Sequence, residues 1–247
     1  ITQVLKGKRP KNTQKFAISD FNWPDPNCKI ERIHGEAAYR CINPNCKSRV
    51  MGMLEHFCSK NAMNIEGMGP QIVKQLLEAD LLESFDDIYR LKYDDLINKT
   101  AEFLSNEKAI GWFQGRMEFG PRALGSRSIL GDPRYDKMQK NLNLKVKYRE
   151  SFRPFAPSIL AEDLTEWFEM NTHSPYMLLV ANVNKNIKKE MTNEEKKLFG
   201  IDKLNIKRSE IPAVTHVDYS ARIQTVHKHS NPIYHKLLTA YKKIKGC

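Results

Sequence analysis

The pattern of hydrophobic residues changes near Asn98, and this change constrains the fold more than any other feature of the chain. From Val50 to Asn98 the apolar residues recur at helical spacing, whereas strand-like and helix-like stretches alternate beyond it. The strand-like stretches are 109–115 and 211–218, and the helix-like ones are 161–170 and 231–244. This mixture predicts an α/β or α+β layer fold for the back part of the chain.

Length and composition exclude several classes of protein. A chain of 247 residues can form one large domain or two modest ones. No apolar run approaches the eighteen residues that a membrane span needs, and the N-terminus shows no secretory signal. Five cysteines are too few for a disulfide scaffold in a chain of this size. We therefore expect a cytoplasmic protein.

The net charge of +11 is unevenly distributed. Residues 1–98 hold 14 basic and 13 acidic residues, whereas residues 99–247 hold 26 and 16. Such an excess indicates polyanionic partners for the back part. Scattered lysines on a solvated surface are the alternative, although they do not account for the grouped arginines described below.

Three of the cysteines lie close together, which suggests a metal site rather than a disulfide. They are Cys28, Cys41 and Cys46, and Asp25 stands where a first cysteine would complete the set. Structural zinc needs four tetrahedral ligands, and aspartate is a poor substitute among thiolates. Cys28, Cys41, Cys46 and Asp25 are therefore either a weakened zinc knuckle or a site that has lost its metal.

A turn with two glycines separates the two helical patterns of the front part. The sequence IEGMGP at 65–70 contains Gly67 and Gly69, followed by Pro70. Two glycines allow a tight turn that points unpaired N–H groups outwards at the start of the next helix. Phosphate oxygens bind well at such a place, so Gly67 and Gly69 are candidate DNA-binding residues.

Arginines and glycines alternate between Gly111 and Arg134. The arginines are Arg116, Arg122, Arg127 and Arg134. Each guanidinium offers a planar fork for phosphate or carboxylate oxygens, and the glycines allow close approach of the backbone. The pattern predicts an oxyanion pocket. The alternative is a surface loop whose arginines form salt bridges with Glu118 and Asp132.

A second basic segment follows at 143–160. Read as a strand, it places Lys145, Lys147 and Arg149 on one face, with Val146 and Tyr148 facing the core. Three cations on one face, followed by Arg153, favour a polyphosphate ligand. An edge strand protected by its charges is the alternative.

A third basic segment, 215–226, also has the pattern of a strand. It places Arg222 and Gln224 on one face, as a further part of the same anion site. His216 lies in the same segment, and alone it is more typical of a packed or surface histidine than of a catalyst.

The front part resembles bacterial NAD-dependent DNA ligases over about residues 1–97, most specifically over 36–97. The sequence from CINPNC to YRLKYDDL is similar to the zinc-finger region and first helix-hairpin-helix of that family, and ITQVLKGKRPKN resembles the exit of its OB domain. The resemblance implies DNA binding without nick sealing, because the adenylation domain has no counterpart here.

The back part resembles the C-terminal domain of the O-carbamoyltransferase family, from about Lys99 onward. The segments FQGRMEFGPRALGSRS, KYRESFRPFAPS and SPYMLLV carry the resemblance. It implies a YrdC-like open twisted α/β sheet that binds ATP and carbamoyl phosphate and forms carbamoyl adenylate, with magnesium as the expected metal. A separate domain of the ASKHA type would then pass the carbamoyl group to a hydroxyl.

The same resemblance assigns roles to individual residues. The cations that hold the ATP phosphates are Lys145, Lys147 and Arg149, which are the catalytic candidates, together with Arg153. Arg116 and Arg122 would bind carbamoyl phosphate, Arg127 is a further candidate for substrate binding, and Arg222 with Gln224 would complete the cleft.

The sequence therefore predicts a fusion of two incomplete enzymes. Its segments are an OB-domain exit and linker at 1–20, a zinc-finger-like segment at 21–50, a helix-hairpin-helix fragment at 51–97 and the carbamoyltransferase domain at 99–247. A DNA-binding module without catalytic activity and an inactive fusion product are the alternatives.

Overall fold

A computed structural model of the protein describes Cys28, residues 30–35 and residues 38–246. Asp25 and the OB-domain exit expected at 1–20 lie outside these residues. The chain divides into two compact units, Ile1–Leu91 and Lys92–Cys247. Among the described residues, no helix is long and apolar enough to cross a membrane.

The described residues of the front unit form one β-hairpin and three helices. Strands β1 (Ile30–Arg32) and β2 (Tyr39–Cys41) pair antiparallel and precede α1 (Lys47–Cys58), α2 (Pro70–Glu78) and α3 (Phe85–Arg90). Leu54, Cys58, Val73 and Leu82 form its buried core. The helical pattern predicted after Val50 is thus present in α1 and α2.

Local sequence signals explain where these helices begin. Gly67 has a φ of 81°, which favours glycine, and Pro70 is the first residue of α2. Ser84 caps α3, where the Asp87 carboxylate accepts the Ser84 N–H at 2.8 Å.

The back unit alternates short strands with helices. In chain order its elements are α4 (Tyr93–Ser105), β3 (Ile110–Phe113), β4 (Arg127–Leu130), α5 (Met138–Leu142), a π-helical turn (Asn143–Lys147), β5 (Ser158–Leu160), a 3₁₀ turn (Ala161–Asp163), α6 (Leu164–Trp167), β6 (Val180–Asn182), a 3₁₀ turn (Lys185–Ile187), α7 (Asn193–Lys197), α8 (Gly200–Leu204), β7 (Ser220–Arg222), β8 (Gln224–Val226) and α9 (Pro232–Lys245).

The strands of the back unit pair two by two. Strands β3 and β4 are antiparallel, as are β6 and β7, whereas β5 and β8 are parallel. The predicted mixed α/β class is confirmed. Within residues 92–246, however, these pairs do not join into the single open sheet that we expected.

Packing of α4 against α9 forms one core of the back unit. Ile97, Ala101 and Leu104 of α4 contact a buried cluster that includes Leu237 and Tyr241 of α9. The helix predicted at 231–244 is confirmed as α9. Asn231 caps it by accepting the Tyr234 N–H at 3.3 Å.

The strand predicted at 211–218 is wrong, because this segment forms turns. Ile211, Ala213 and Val214 are all buried, so their apolar run lacks the alternation of a half-buried strand. The Thr215 hydroxyl donates to the Ile211 carbonyl at 2.9 Å and bends the chain back on itself. The first strand in this region is β7, which begins at Ser220. Strand β7 pairs with β6, whereas β8 pairs with β5.

The strand predicted within 143–160 is also wrong over 143–149. Helix α5 continues into the π-helical turn, and Tyr148 adopts a left-handed conformation with a φ of 50°. Val146 and Tyr148, expected to face the core, are 38% and 84% exposed. Lys145, Lys147 and Arg149 therefore do not share a strand face. We call residues 143–149 the lysine turn.

Candidate anion-binding site

The first basic segment forms the connection of a β-hairpin. Phe113 of β3 pairs with Arg127 of β4, and residues 114–126, which we call the arginine loop, join the two strands. Gly115, Gly120 and Gly125 in the loop have positive φ angles of 54°, 150° and 100°. These values favour glycine, which explains why glycines alternate with the arginines.

The Glu118 carboxylate holds the arginine loop together from inside. Its Oε1 accepts N–H groups of Leu124 at 2.8 Å, Ser126 at 2.7 Å and Arg127 at 3.2 Å. Partial burial raises the pKa of Glu118, but these backbone donors outweigh it, so the pKa lies below its ordinary value. Glu118 is therefore bound to the backbone rather than to an arginine, contrary to this half of the salt-bridge alternative. The other half is confirmed, because Asp132 forms an ion pair with Arg134 at 3.8 Å.

Contacts from β8 and α9 fix the position of the loop. Gln224 donates from Nε2 to the Leu124 carbonyl at 2.7 Å and accepts from the Ser158 hydroxyl at 2.8 Å. Gln114 donates to the Gly125 carbonyl at 2.7 Å and to Asn231 Oδ1 at 2.8 Å. The loop is thus organised before any ligand arrives.

The four arginines of this segment have different surroundings. Arg127 donates to the carbonyls of Gln114, Gly115 and Ser126 at 2.8 to 2.9 Å, and its guanidinium lies 3.4 Å from the centre of the Phe113 ring. Arg134 donates to the Lys245 carbonyl at 2.7 Å, at the end of α9. Both side chains hold the fold, which leaves Arg116 and Arg122 to face solvent.

Arg116 and Arg122 are the available cations of the arginine loop. Arg116 is exposed and Arg122 half-buried. Neither makes a hydrogen bond or ion pair with any residue that the structure describes. Two unpaired guanidinium groups on an organised loop can take an anion without breaking an existing contact.

Buried Asn143 organises the lysine turn. Its side-chain nitrogen donates to the carbonyls of Ser151 at 3.1 Å and Arg153 at 2.8 Å, while its oxygen accepts from Arg149 Nε at 2.6 Å. The local sequence does not distinguish Asn143 from its neighbour Asn141, so it carries no signal for this role. Asn143 is thus the positioning residue that sequence reasoning missed.

The cations of the lysine turn differ in availability. Lys145 and Lys147 are exposed, and within the described part of the chain they have no hydrogen-bonding or ionic partner. Arg149 lies 5.0 Å from the centre of the Phe155 ring as well as against Asn143. Arg153 forms an ion pair with Glu150 at 2.9 Å.

The third basic segment contributes one free cation and one fixed amide. Arg222 is half-buried and, among the residues described, has no ionic partner, whereas Gln224 is buried under the arginine loop. His216 lies nearby in sequence, with Nδ1 2.9 Å from the Ser220 hydroxyl, which in turn donates to Asp218 at 2.7 Å. Burial lowers the pKa of His216.

The structure therefore brings together part of the predicted site. Gln224 and Asn231 contact the arginine loop through direct hydrogen bonds, and Ser158 supports it through Gln224. Among the described residues, no hydrogen bond or ion pair links that loop to the lysine turn. A ligand that spans both would have to supply the connection.

The three cysteine thiols of the front unit also converge. The sulfur atoms of Cys28, Cys41 and Cys46 all lie within 4.8 Å of one another, and those of Cys28 and Cys46 are 3.1 Å apart. The Cys46 thiol, together with burial and the Cys41 thiol, raises the pKa of Cys28 to about 12. A bound cation would stabilise the negatively charged thiolates and so oppose this rise in the pKa of Cys28.

Comparison with known proteins identifies the back unit. The family model of the carbamoyltransferase C-terminus matches residues 101–247, which is more than half of the chain. The chain belongs to this family. The carbamoyltransferase resemblance of the back part is thereby confirmed.

Individual relatives agree with this assignment. The uncharacterized protein sll1178 of Synechocystis is 51% identical over 191 residues, which cover 76% of this chain and 31% of that protein. The 3'-hydroxymethylcephem-O-carbamoyltransferase of Amycolatopsis lactamdurans is 36% identical over 156 residues, covering 63% and 25%. The chain thus spans about a third or less of the length of these relatives.

A DNA ligase is also similar to part of the chain. The ligase of Leuconostoc citreum is 46% identical over 100 residues, which cover 40% of this chain and 14% of the ligase. The match supports a ligase-like segment. The zinc-ribbon and helix-hairpin-helix assignments stay predictions.

Proposed function

We propose that the back unit binds ATP and carbamoyl phosphate and forms carbamoyl adenylate, with release of pyrophosphate. The observation that carries this proposal is the organised arginine loop, which presents Arg116 and Arg122 without an ionic partner among the described residues. Membership of the carbamoyltransferase C-terminus family supports carbamoyl chemistry at this site. Transfer of the carbamoyl group to an acceptor would require a larger protein, such as the relatives described above.

Charge explains how such a site would act. ATP and carbamoyl phosphate repel each other until cations neutralise them, and positioned cations cost no reorganisation during the reaction. We assign Arg116 and Arg122 to carbamoyl phosphate, and Lys145, Lys147 and Arg149 to the ATP phosphates. Arg222 would complete the cleft, while Gln224 and Arg127 hold the loop and Arg153 supports the lysine turn. Magnesium bound to the ATP phosphates would neutralise further charge.

Calorimetric titration with ATP, with and without carbamoyl phosphate, tests the proposal. The double variant Lys147→Ala, Arg149→Ala should weaken ATP binding at least tenfold, because it removes two charge-assisted contacts. The variant Lys196→Ala, Lys197→Ala on α7 removes the same charge elsewhere and should bind normally. A folded wild-type protein that does not bind ATP would contradict the proposal.

The front unit supports a second candidate function, which is DNA binding. No side chain caps α2, and within the described part of the chain the N–H groups of Gly69 and Gln71 have no hydrogen-bond partner. They can therefore meet phosphate oxygens at the start of that helix. The ligase match points to the same chemistry. Duplex affinity that falls more than tenfold between 50 and about 200 mM salt would support this function, and no binding at low salt would exclude it.

Zinc is the metal that we propose for the three cysteines. A set of three converging thiolates suits its preference for sulfur, and Asp25 or another group would supply the fourth ligand. Zinc would hold the β1–β2 hairpin against the start of α1. Chelation should then lower the melting temperature of the wild type but not of a Cys41→Ser variant.

A further inference from the structure

A polar cleft in the back unit is lined by a different set of residues from those assigned to ATP and carbamoyl phosphate. Its volume is about 740 Å³, and none of those assigned residues lines it. One wall comes from the start of α5 and the segment around Phe152, and the other from residues 204–208 and 212–218. We call it the α5 cleft.

Positive charge dominates the α5 cleft. Lys137 and Lys140 line it and are exposed, and their side chains make no hydrogen bond or ion pair with the described residues. Lys207 lines the opposite wall and forms an ion pair with Asp136 at 2.7 Å. The other acidic lining residue, Asp218, already accepts two hydrogen bonds from Ser220. The cleft is therefore cationic overall.

Arg208 gives a second and independent sign of a ligand. This residue lines the cleft although it is only 4% exposed. Its terminal nitrogens donate to the carbonyls of Leu204, Ile206 and Lys203, but Nε has no partner among the described residues. A buried guanidinium with an unused donor is costly unless an acceptor can reach it.

Each wall of the cleft also carries an apolar side chain. Phe152 is 37% exposed and Val217 46% exposed, and both line the cleft. His216 also lines it, and because burial lowers its pKa the ring is neutral at pH 7 and adds polarity without charge. A fitting ligand thus combines an anionic end with a flat apolar part.

We propose that the α5 cleft binds a phosphate monoester with a planar apolar substituent. Lysines act on phosphate as point charges and need no fixed fork, so Lys137, Lys140 and Lys207 suit a tetrahedral dianion. The phosphate would replace Asp136 as the partner of Lys207. The substituent would lie against Phe152. This binding is independent of carbamoyl adenylate formation.

Phenyl phosphate is the probe that tests this site, titrated into the full chain by calorimetry at low salt. The variant Lys137→Gln, Lys140→Gln should raise the dissociation constant at least tenfold, whereas Lys196→Gln, Lys197→Gln on α7 should leave it unchanged. The Phe152→Leu variant should weaken phenyl phosphate more than inorganic phosphate. Benzoate, which carries a carboxylate instead, should bind at least tenfold more weakly.

The outcomes separate this site from the proposed ATP site. One outcome would overturn the proposal: phenyl phosphate binding is lost in Lys147→Ala, Arg149→Ala but is normal in Lys137→Gln, Lys140→Gln. The phosphate would then bind at the lysine turn. Equal binding of benzoate would overturn the choice of phosphate. ATP binding by the Lys137→Gln, Lys140→Gln variant at wild-type strength is the expected result.

Discussion

Asn143 shows how one buried amide can organise several cations. Its side chain uses both its donor and its acceptor groups, on two carbonyls and on Arg149. An amide in a fully buried position is stable only when such partners are present. The hydrogen bonds of Asn143, rather than repulsion between the cations, therefore determine the conformation of the lysine turn.

Replacement of Asn143 should separate stability from binding. Asn143→Ala removes the side-chain partner of the Ser151 and Arg153 carbonyls and of Arg149 Nε, and it should lower the free energy of unfolding by about 2–3 kcal/mol. Asn143→Asp keeps an acceptor for Arg149, so it should lose stability while ATP affinity falls less than in Asn143→Ala. Urea unfolding and ATP titration measure both quantities, with exposed Asn193→Ala as the control. Equal ATP affinity in all variants would contradict the positioning role.

Glu118 predicts a pH dependence at the residue scale. Because its folded-state pKa lies below the unfolded value of about 4.3, its stabilisation is present above that value and is lost as the pH falls through the folded pKa. Glu118→Gln should lower the free energy of unfolding by about 1 kcal/mol at pH 7. The variant should also lose less stability than the wild type as the pH falls into the acid range. Glu190→Gln, at an exposed position, serves as the control. If the free energies of unfolding of Glu118→Gln and Glu190→Gln fall equally as the pH is lowered, Glu118 does not have this role.

At the scale of elements, the arginine loop depends on contact with α9. A side-chain carbon at Gly125 would lie 2.4 Å from the Tyr234 ring, and Gly125 has a φ of 100°. The buried Tyr234 ring cannot move aside without disturbing the α4–α9 core. The loop therefore requires glycine here for two separate reasons.

The Gly125→Ala variant should lose about 2–4 kcal/mol of stability, since strain and overpacking add. Gly115→Ala is the matched control, because Gly115 also has a positive φ but has open space around it. Its loss should be about 1 kcal/mol. Thermal unfolding of both variants measures the difference, and equal losses would show that Tyr234 does not limit this position.

Sequence reasoning succeeded where one face of an element is buried. The helical spacing of α9 and α1 is visible because their apolar residues face one core. It failed at 143–149, where the alternation of cations and apolar residues is compatible with a strand. The segment instead forms a helical turn that ends at Tyr148, which has a left-handed conformation. Tertiary hydrogen bonds such as Gln224 to Leu124, 100 positions apart, have no local signal in the sequence.

At the scale of the whole molecule, α4 decides where the back unit begins. The change of pattern near Asn98 led us to expect a boundary between 97 and 99, yet the compact unit begins at Lys92. Ile97 is 4% exposed and packs with Ala101 against the α9 cluster. A boundary inside α4 would remove the start of that helix from the core it covers.

Two truncated proteins test this boundary. Residues 92–247 should fold and melt cooperatively, with ATP affinity equal to that of the full chain. Residues 99–247 lack Ile97 and the first two turns of α4, so they should be less stable by at least about 2 kcal/mol, the usual cost of emptying an isoleucine site. The variant Ile97→Ala in the longer protein should reproduce most of this loss, because the buried side chain is the main feature removed. If both truncated proteins unfold at the same denaturant concentration, α4 does not stabilise the back unit.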